Sequence, residues 1–296
     1  MTYPDGKVGF HSPEDRRVPT EQTSLSLLTG NCRDRLADVA TGSVTACVTS
    51  PPFWRQRDYE ADGQLGTEGC PADFADSLVE VMREVRRTLA QDGSLWIELG
   101  DTYAAGGNGG GGSRAAKRHK LTSLQQRTGW RSPPKGYKVR DLSLTPFQVA
   151  DRLRADGWYL RKTIIWDKGT ATEPPRQDRP SVSHSYIFLL TPNGPSRVRN
   201  PGEDWFSSSV WRVSPSGATE HPAPMTPEIA RRCIVCSSSE GDTILDPFGG
   251  AGTTGLVADR LGRSAVLIEL NPEYAEIARR RISDEQGMFA NVSVAA

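Results

Sequence analysis

Thr243-Ile244-Leu245-Asp246-Pro247-Phe248-Gly249-Gly250-Ala251-Gly252-Thr253-Thr254-Gly255 is the stretch whose reading decides the fold. A short aliphatic strand runs into a turn, and Gly250, Gly252 and Gly255 fit G-x-G-x-x-G where a helix reaching about Leu261 begins. Nineteen residues after Gly250, Glu269 ends a second strand, Ala265-Val266-Leu267-Ile268. Missing side chains let a ligand approach the backbone at the carboxyl edge of a parallel sheet, and a carboxylate there accepts two hydrogen bonds from ribose hydroxyls. The stretch predicts a nucleoside-bearing cofactor. Asp246 narrows the choice, because a carboxylate beside the turn repels a pyrophosphate and suits a cationic amino-acid end. One strand and one helix, roughly Pro272 to Ile282, are all that follow the turn's helix, so the other strands come from the N-terminal side. Both points favour S-adenosylmethionine over NAD.

Outward from this turn, strands are expected at 24–29, 44–49, 94–99, 158–166, 185–190, 243–246 and 265–269. Helices are expected over Asn31 to Ala40, Ala72 to Leu89, Thr145 to Ala155 and Pro227 to Cys236. The second carries Phe74, Leu78, Val81, Val85 and Leu89 on one face. The alternation predicts an α/β fold, a mostly parallel seven-stranded sheet with helices on both faces, the last two strands lying beside the first. Residues 1–23 read as a loose arm and 24–296 as one catalytic domain, with a flexible basic loop at 103–141.

The composition of the 296 residues sets limits: 36 Lys+Arg cancel 36 Asp+Glu, so any polyanion surface must come from local clustering. Ser113 to Arg140 is such a cluster, with nine Lys/Arg and no Asp or Glu. No apolar run has the length of a membrane span and Met1 to Thr20 lacks the apolar centre of a signal peptide, which predicts a soluble cytoplasmic protein. Five cysteines are an odd number, and Cys233 and Cys236, at i, i+3 in an apolar helix, read as reduced core residues; no metal site is expected.

Thr49-Ser50-Pro51-Pro52-Phe53-Trp54, together with the distant Asp246-to-Thr254 motif, resembles the amino-methyltransferases of DNA, in their β-ordered branch, where the catalytic motif precedes the cofactor motif. Gly30-Asn31-Cys32, His221-Pro222-Ala223-Pro224 and Glu269-Leu270-Asn271-Pro272-Glu273-Tyr274 extend the resemblance over roughly 24–285. It implies a circularly permuted, Rossmann-like methyltransferase fold that binds S-adenosyl-L-methionine. Asp246, Phe248, Gly249, Gly250, Gly252, Thr253 and Thr254 would wrap the cofactor, Glu269 with Asn271 its ribose end, and His221, Pro222 and Ala223 its methionine end. Asn31, with Cys32 beside it, stands where the family often has Asp on the adenine amino group.

An exocyclic amino group is a poor nucleophile because its lone pair is delocalised into the ring, so the site must accept hydrogen bonds from its N–H groups. Ser50 Oγ and the Pro51 carbonyl can do so, Pro51 and Pro52 hold a fixed turn without N–H groups, and Phe53 offers a face for stacking. The base must be flipped out of the duplex. In the family a first-position Ser goes with cytosine N4 and Asp with adenine N6, so N4 of cytosine is expected and N6 of adenine is the alternative. No cysteine follows a proline, which sets aside carbon-5 chemistry. A site-specific enzyme on double-stranded DNA, a cognate restriction endonuclease and a monomer or homodimer are implied.

Arg114, Lys117, Arg118 and Lys120 read as phosphate contacts, and Arg176, Arg179, Arg197 and Arg199, within a candidate target-recognition segment at 168–218, as readers of guanine edges. Asp101 either faces the pocket or caps a helix or loop. Two rivals remain: an NAD-binding oxidoreductase on the same turn, which leaves Ser50-Pro51-Pro52-Phe53 unexplained, and a DNA-binding module that keeps the cofactor pocket as a sensor.

Overall fold

Strand β2, Val44–Thr49, is buried at every residue, as a strand must be at the centre of a sheet covered on both faces. The computed structural model describes residues 23–56, 59, 61–104, 133–172, 177–194, 196–215, 225–286 and 292–295. The arm to residue 22, Arg114, Lys117, Arg118, Lys120, Arg176, His221, Pro222 and Ala223 lie outside the described residues.

Around β2 stand β1 (Leu25–Thr29), β3 (Leu89–Leu99), β4 (Tyr159–Asp167), β5 (His184–Thr191), β6 (Val210–Arg212), β7 (Thr243–Asp246), β8 (Ser264–Glu269) and β9 (Val292–Ala295). Their order is β6-β4-β5-β3-β2-β7-β8-β1-β9. Strand β5 is antiparallel to β3 and β4, and the other neighbouring pairs are parallel. All seven expected strands are present, and β7 and β8 do lie between β2 and β1. The expected count of seven is corrected to nine among the described residues, because the three-residue β6 and four-residue β9 each add to one outer edge.

Helices α1 (Cys32–Arg35), α2 (Pro71–Thr88) and α3 (Thr145–Ala155) cover one face, and α4 (Pro227–Ser237), α5 (Thr253–Arg260) and α6 (Pro272–Gln286) the other. In α2, Pro71 starts the first turn, Cys70 Sγ accepts from Asp73 N at 3.4 Å, and Phe74, Leu78, Val81 and Val85 are buried as the periodicity predicts. Leu89, expected to finish that helix, turns to φ −70°, ψ 141° and opens β3 five residues early. The helix expected over Asn31 to Ala40 is shorter: α1 ends at Arg35 and a 3-10 turn, Leu36–Asp38, completes it. Cys233 and Cys236 are buried in the core under α4, and burial pushes the Cys236 thiol up to about 12.

From β7 the chain steps through α5 to β8 on one side, whereas β2 steps through α2 to β3 on the other. The strand order therefore reverses between β2 and β7, and open parallel sheets bind ligands at the carboxyl ends of such a switch point.

Candidate active site at the carboxyl edge of the sheet

Asp246 ends β7 at the switch point and ties the strands together. Its Oδ1 accepts from Thr49 Oγ1 at 2.6 Å and from Phe248 N at 3.1 Å, and its Oδ2 from Thr254 Oγ1 at 2.7 Å. Burial holds its carboxyl above the usual range against those bonds. The carboxyl is internal, with all three of these bonds to the protein itself. Gly252 has φ 78°, and a Cβ there would lie 3.0 Å from the Ala278 side chain and 3.1 Å from Ile282, so a side chain would push α6 away from the turn. Gly249 N donates to Ile268 O at 2.7 Å, and Thr253 begins α5 in the interior.

One strand over, Glu269 accepts from Gly250 N at Oε2 and from Asn271 N at Oε1, both at 2.8 Å. A carboxylate has about four acceptor sites, so capacity remains. Burial pushes its carboxyl up as well. Asn271 Oδ1 accepts from Glu273 N at 2.9 Å and its amide donates to Tyr59 O at 3.4 Å, which brings the loop after the catalytic motif to this side. Asn31 caps α1, Oδ1 accepting from Arg33 N at 3.0 Å, and a Cβ at Gly63 would lie 2.8 Å from its amide nitrogen. The Cys32 thiol packs into the core and burial pushes it up to about 11, leaving its main chain as what it can offer a ligand.

Ser50, Pro51, Pro52 and Phe53 follow β2 directly, so the sheet carries them to the same edge. Ser50 Oγ donates to Glu98 Oε2 at 2.5 Å. Glu98 lies on β3 and is buried, and its Oε1 has no hydrogen-bond partner. Sequence reasoning missed this residue; its signal is a charge inside the apolar run Leu95-Trp96-Ile97-Glu98-Leu99. The Phe53 ring lies against Gly100, where a Cβ would come within 2.6 Å of its edge, so only glycine admits the ring. Trp54, fully buried, donates from Nε1 to Glu68 O at 3.0 Å and anchors the loop.

The two readings of Asp101 resolve to a cap. Its Oδ1 accepts from Thr102 N at 2.9 Å, Ser143 Oγ at 2.7 Å and Thr145 N, the first residue of α3, at 3.2 Å, while its buried Oδ2 has no partner.

Arg179 stacks over the Tyr103 ring at 4.2 Å and pairs with Asp178 at 3.0 Å, on the rim of this edge. Arg197 and Arg199 are a correction. Arg197 binds Asp92 at 2.8 Å and Asp242 at 3.6 Å, and Arg199 donates to Ser239 Oγ at 2.8 Å. Asp92 lies near the start of β3 and Asp242 just before β7, so both arginines sit at the amino edge, away from the site.

Residues 44–280 match the family model of the DNA methylases, a family whose name covers N6 and N4 modification. The chain is 36% identical over 290 residues to a Type II methyltransferase of Citrobacter freundii, M.Cfr9I, with 95% of each chain covered. M.SmaI of Serratia marcescens, also a Type II methyltransferase, is 36% identical over 270 residues, covering 88% of this chain and 91% of that one. Among solved structures, a Thermus thermophilus protein named as a DNA modification methylase, in complex with S-adenosyl-L-methionine, superposes with a TM-score of 0.64 at 30% identity, over 92% of this chain and 99% of that one. The chain belongs to the DNA methylase family whose members modify exocyclic amino groups, N4 of cytosine or N6 of adenine.

Proposed function

We propose that this chain is a site-specific methyltransferase acting on N4 of cytosine in double-stranded DNA, with S-adenosylmethionine as methyl donor. The observation that carries the reading is the Ser50 hydroxyl, held at 2.5 Å from the buried Glu98 carboxylate beside the glycine turn.

The residues fit this cofactor. Glu269 keeps acceptor capacity for ribose hydroxyls, Gly249 and Gly252 let the turn pack tightly onto Leu267 and Ala278 so that its backbone stays at the carboxyl edge, and Asn31 lies against the turn at Gly63. Two buried carboxylates, Asp246 and Glu269, both held above their usual range, gain from a cationic ligand. When bound, S-adenosylmethionine supplies an electrophilic methyl group on a sulfonium. His221, Pro222 and Ala223 remain the residues expected at its methionine end.

Glu98 takes the hydrogen of Ser50, so the serine lone pairs face outward and accept one amino N–H of the flipped base. The Pro51 carbonyl accepts the other, and Phe53 stacks on the ring. Together they favour a pyramidal nitrogen, and Ser50 and Glu98 carry off the proton that the nitrogen loses as it gains its methyl group. Most of the rate comes from positioning. A neutral hydroxyl at the first position, in place of a carboxylate, supports cytosine over adenine.

Arg114, Lys117, Arg118, Lys120 and Arg176, with Arg179, are proposed to hold the duplex, phosphates first. The Type II relatives support a cognate restriction endonuclease as partner. The test is mass spectrometry of nucleosides digested from DNA incubated with the protein and a donor carrying a deuterated methyl group. Labelled N4-methylcytosine is expected; labelled N6-methyladenine overturns the base assignment, and no label on varied genomic DNA favours the non-catalytic module.

A further inference from the structure

Lys168 stands one residue past β4, and neither the sequence motifs nor the chemistry above uses it. Its backbone is fixed: Lys168 N donates to Ser183 O at 2.9 Å, and Asp167 before it is held by Arg212 Nε at 2.8 Å and Gly169 N at 2.9 Å. The side chain turns inward, 16% exposed, with its ammonium 4.4 Å from the centroid of the Trp166 ring and 3.9 Å from Glu98 Oε1. The Glu98 side chain is 4% exposed. Its Oε2 is taken by Ser50, and its Oε1 accepts no hydrogen bond. At 3.9 Å the ammonium acts as a charge and leaves the lone pairs of that oxygen open. The Cys233 thiol, the neighbour from α4, is pushed well up by burial and stays neutral, so it offers Glu98 no counter-charge.

A buried carboxylate is costly unless a cation stands beside it, and the Lys168 ammonium is that cation here. A Glu98 carboxyl that swung away from Lys168 would take Oε2 from Ser50 Oγ and leave the serine hydrogen free to turn toward the target N–H. We infer that Lys168 is a positioning residue for methyl transfer: its ammonium, seated on Trp166, holds the Glu98 side chain in place through Oε1, and Glu98 Oε2 in turn orients the Ser50 hydroxyl so that its lone pairs face the amino group. The inference rests on the reading of Ser50 as the amino-group acceptor.

A double-mutant cycle on the full chain with Glu98→Gln and Lys168→Met separates this role from a structural one. Methionine keeps the aliphatic stem on Trp166 and removes the charge. In the native background Lys168→Met lowers kcat between about tenfold and about a hundredfold, with KM for DNA and calorimetric affinity for S-adenosylmethionine changed less than about twofold. In the Glu98→Gln background, where no charge needs holding, the same change lowers kcat less than about threefold. The urea midpoint, which needs no turnover, shows the same pattern: Lys168→Met lowers it when Glu98 is present and leaves it unchanged in the Glu98→Gln background. Lys168→Arg restores most of the native kcat. An equal loss in both backgrounds, or an unchanged kcat in the native one, overturns the inference. A native enzyme that labels no DNA overturns the underlying reading instead.

Discussion

Thr49 and Ser50 are neighbours in the chain, and their hydroxyls open onto two regions of opposite character. Thr49 donates to Asp246 at 2.6 Å, inside a network in which Asp246 accepts three bonds and Glu269 accepts two, all from the protein itself. Ser50 donates to Glu98 at 2.5 Å, and behind it Glu98 Oε1, 3.9 Å from the Lys168 ammonium, and Asp101 Oδ2 are buried without a hydrogen bond. Buried acceptors are nearly always satisfied, so the Asp246 cluster is braced by the protein's own donors, whereas the Glu98 carboxyl leans on the charge of Lys168 as well as on one hydrogen bond. On the proposed reading, the cofactor side keeps its shape through its own bonds, and on the catalytic side Ser50 Oγ and the Pro51 carbonyl receive the N–H groups.

The largest expected effect breaks the catalytic side alone. Glu98→Gln keeps the volume and removes the charge that takes the Ser50 hydrogen, so kcat falls by about a hundredfold or more while cofactor affinity by calorimetry stays within about twofold. Native turnover in this variant would erase the distinction between the two regions. On the other side, Asp246→Ala strands the Thr49 and Thr254 hydroxyls and Phe248 N in the interior, a cost of about 2–4 kcal/mol in stability, offset in part because the native carboxylate is itself costly to bury. Urea denaturation measures it, and a loss below about 1 kcal/mol would mean that the network does not brace the switch point.

These two regions are unequally legible in the sequence. The cofactor side is local: the strand, the turn at Gly250 and Gly252, and Glu269 lie within one strand-helix-strand unit, so their spacing points to a nucleoside-bearing cofactor and the family resemblance supplies the residue roles. The catalytic side is assembled from β2, β3 and the end of β4, so Ser50 shows itself as a motif while Glu98 and Lys168, 48 and 118 residues further on, do not. Lys168 carries no signal in its neighbourhood, since a lysine after a strand is ordinarily a solvated one. Edge strands β6 and β9 escape for a different reason: three and four residues cannot show a period of two against turn-rich surroundings. Asp101 stays open because a carboxylate that caps a helix and one that faces a pocket look alike until Ser143 and Thr145 are seen beside it.

Protonation sharpens the comparison with a smaller effect. Burial raises the Glu269 and Asp246 carboxyls, so in the free protein their ionisation is unfavourable and the stability they contribute is lost as pH rises past the ordinary carboxylate range. A cationic cofactor reverses the preference, because it binds the ionised pair. The gap in Tm between cofactor-loaded and free protein should therefore widen as pH rises above about 4–5 and narrow below it. Groups with lowered values, such as Glu228 and Asp92, shift both curves together and cancel in the difference. A gap that does not change with pH would remove the carboxylates from cofactor binding.

The smallest expected effect tests whether the site has only one face. Arg197 bridges Asp92 and Asp242 at the amino edge, and its guanidinium holds the Asp92 carboxyl below the usual range. The ion pairs are partly exposed, so Arg197→Ala costs less than about 1 kcal/mol once solvent screening is counted. Because duplex DNA must reach Ser50 at the opposite edge, the same change should leave DNA affinity and its salt dependence untouched. Reversing Arg114, Lys117, Arg118 and Lys120 together should instead flatten the slope of log affinity against log salt, by about one unit for each phosphate left without its cation. If Arg197→Ala flattens the slope as well, the duplex wraps both edges of the sheet, and the division between a working carboxyl edge and a merely structural amino edge fails.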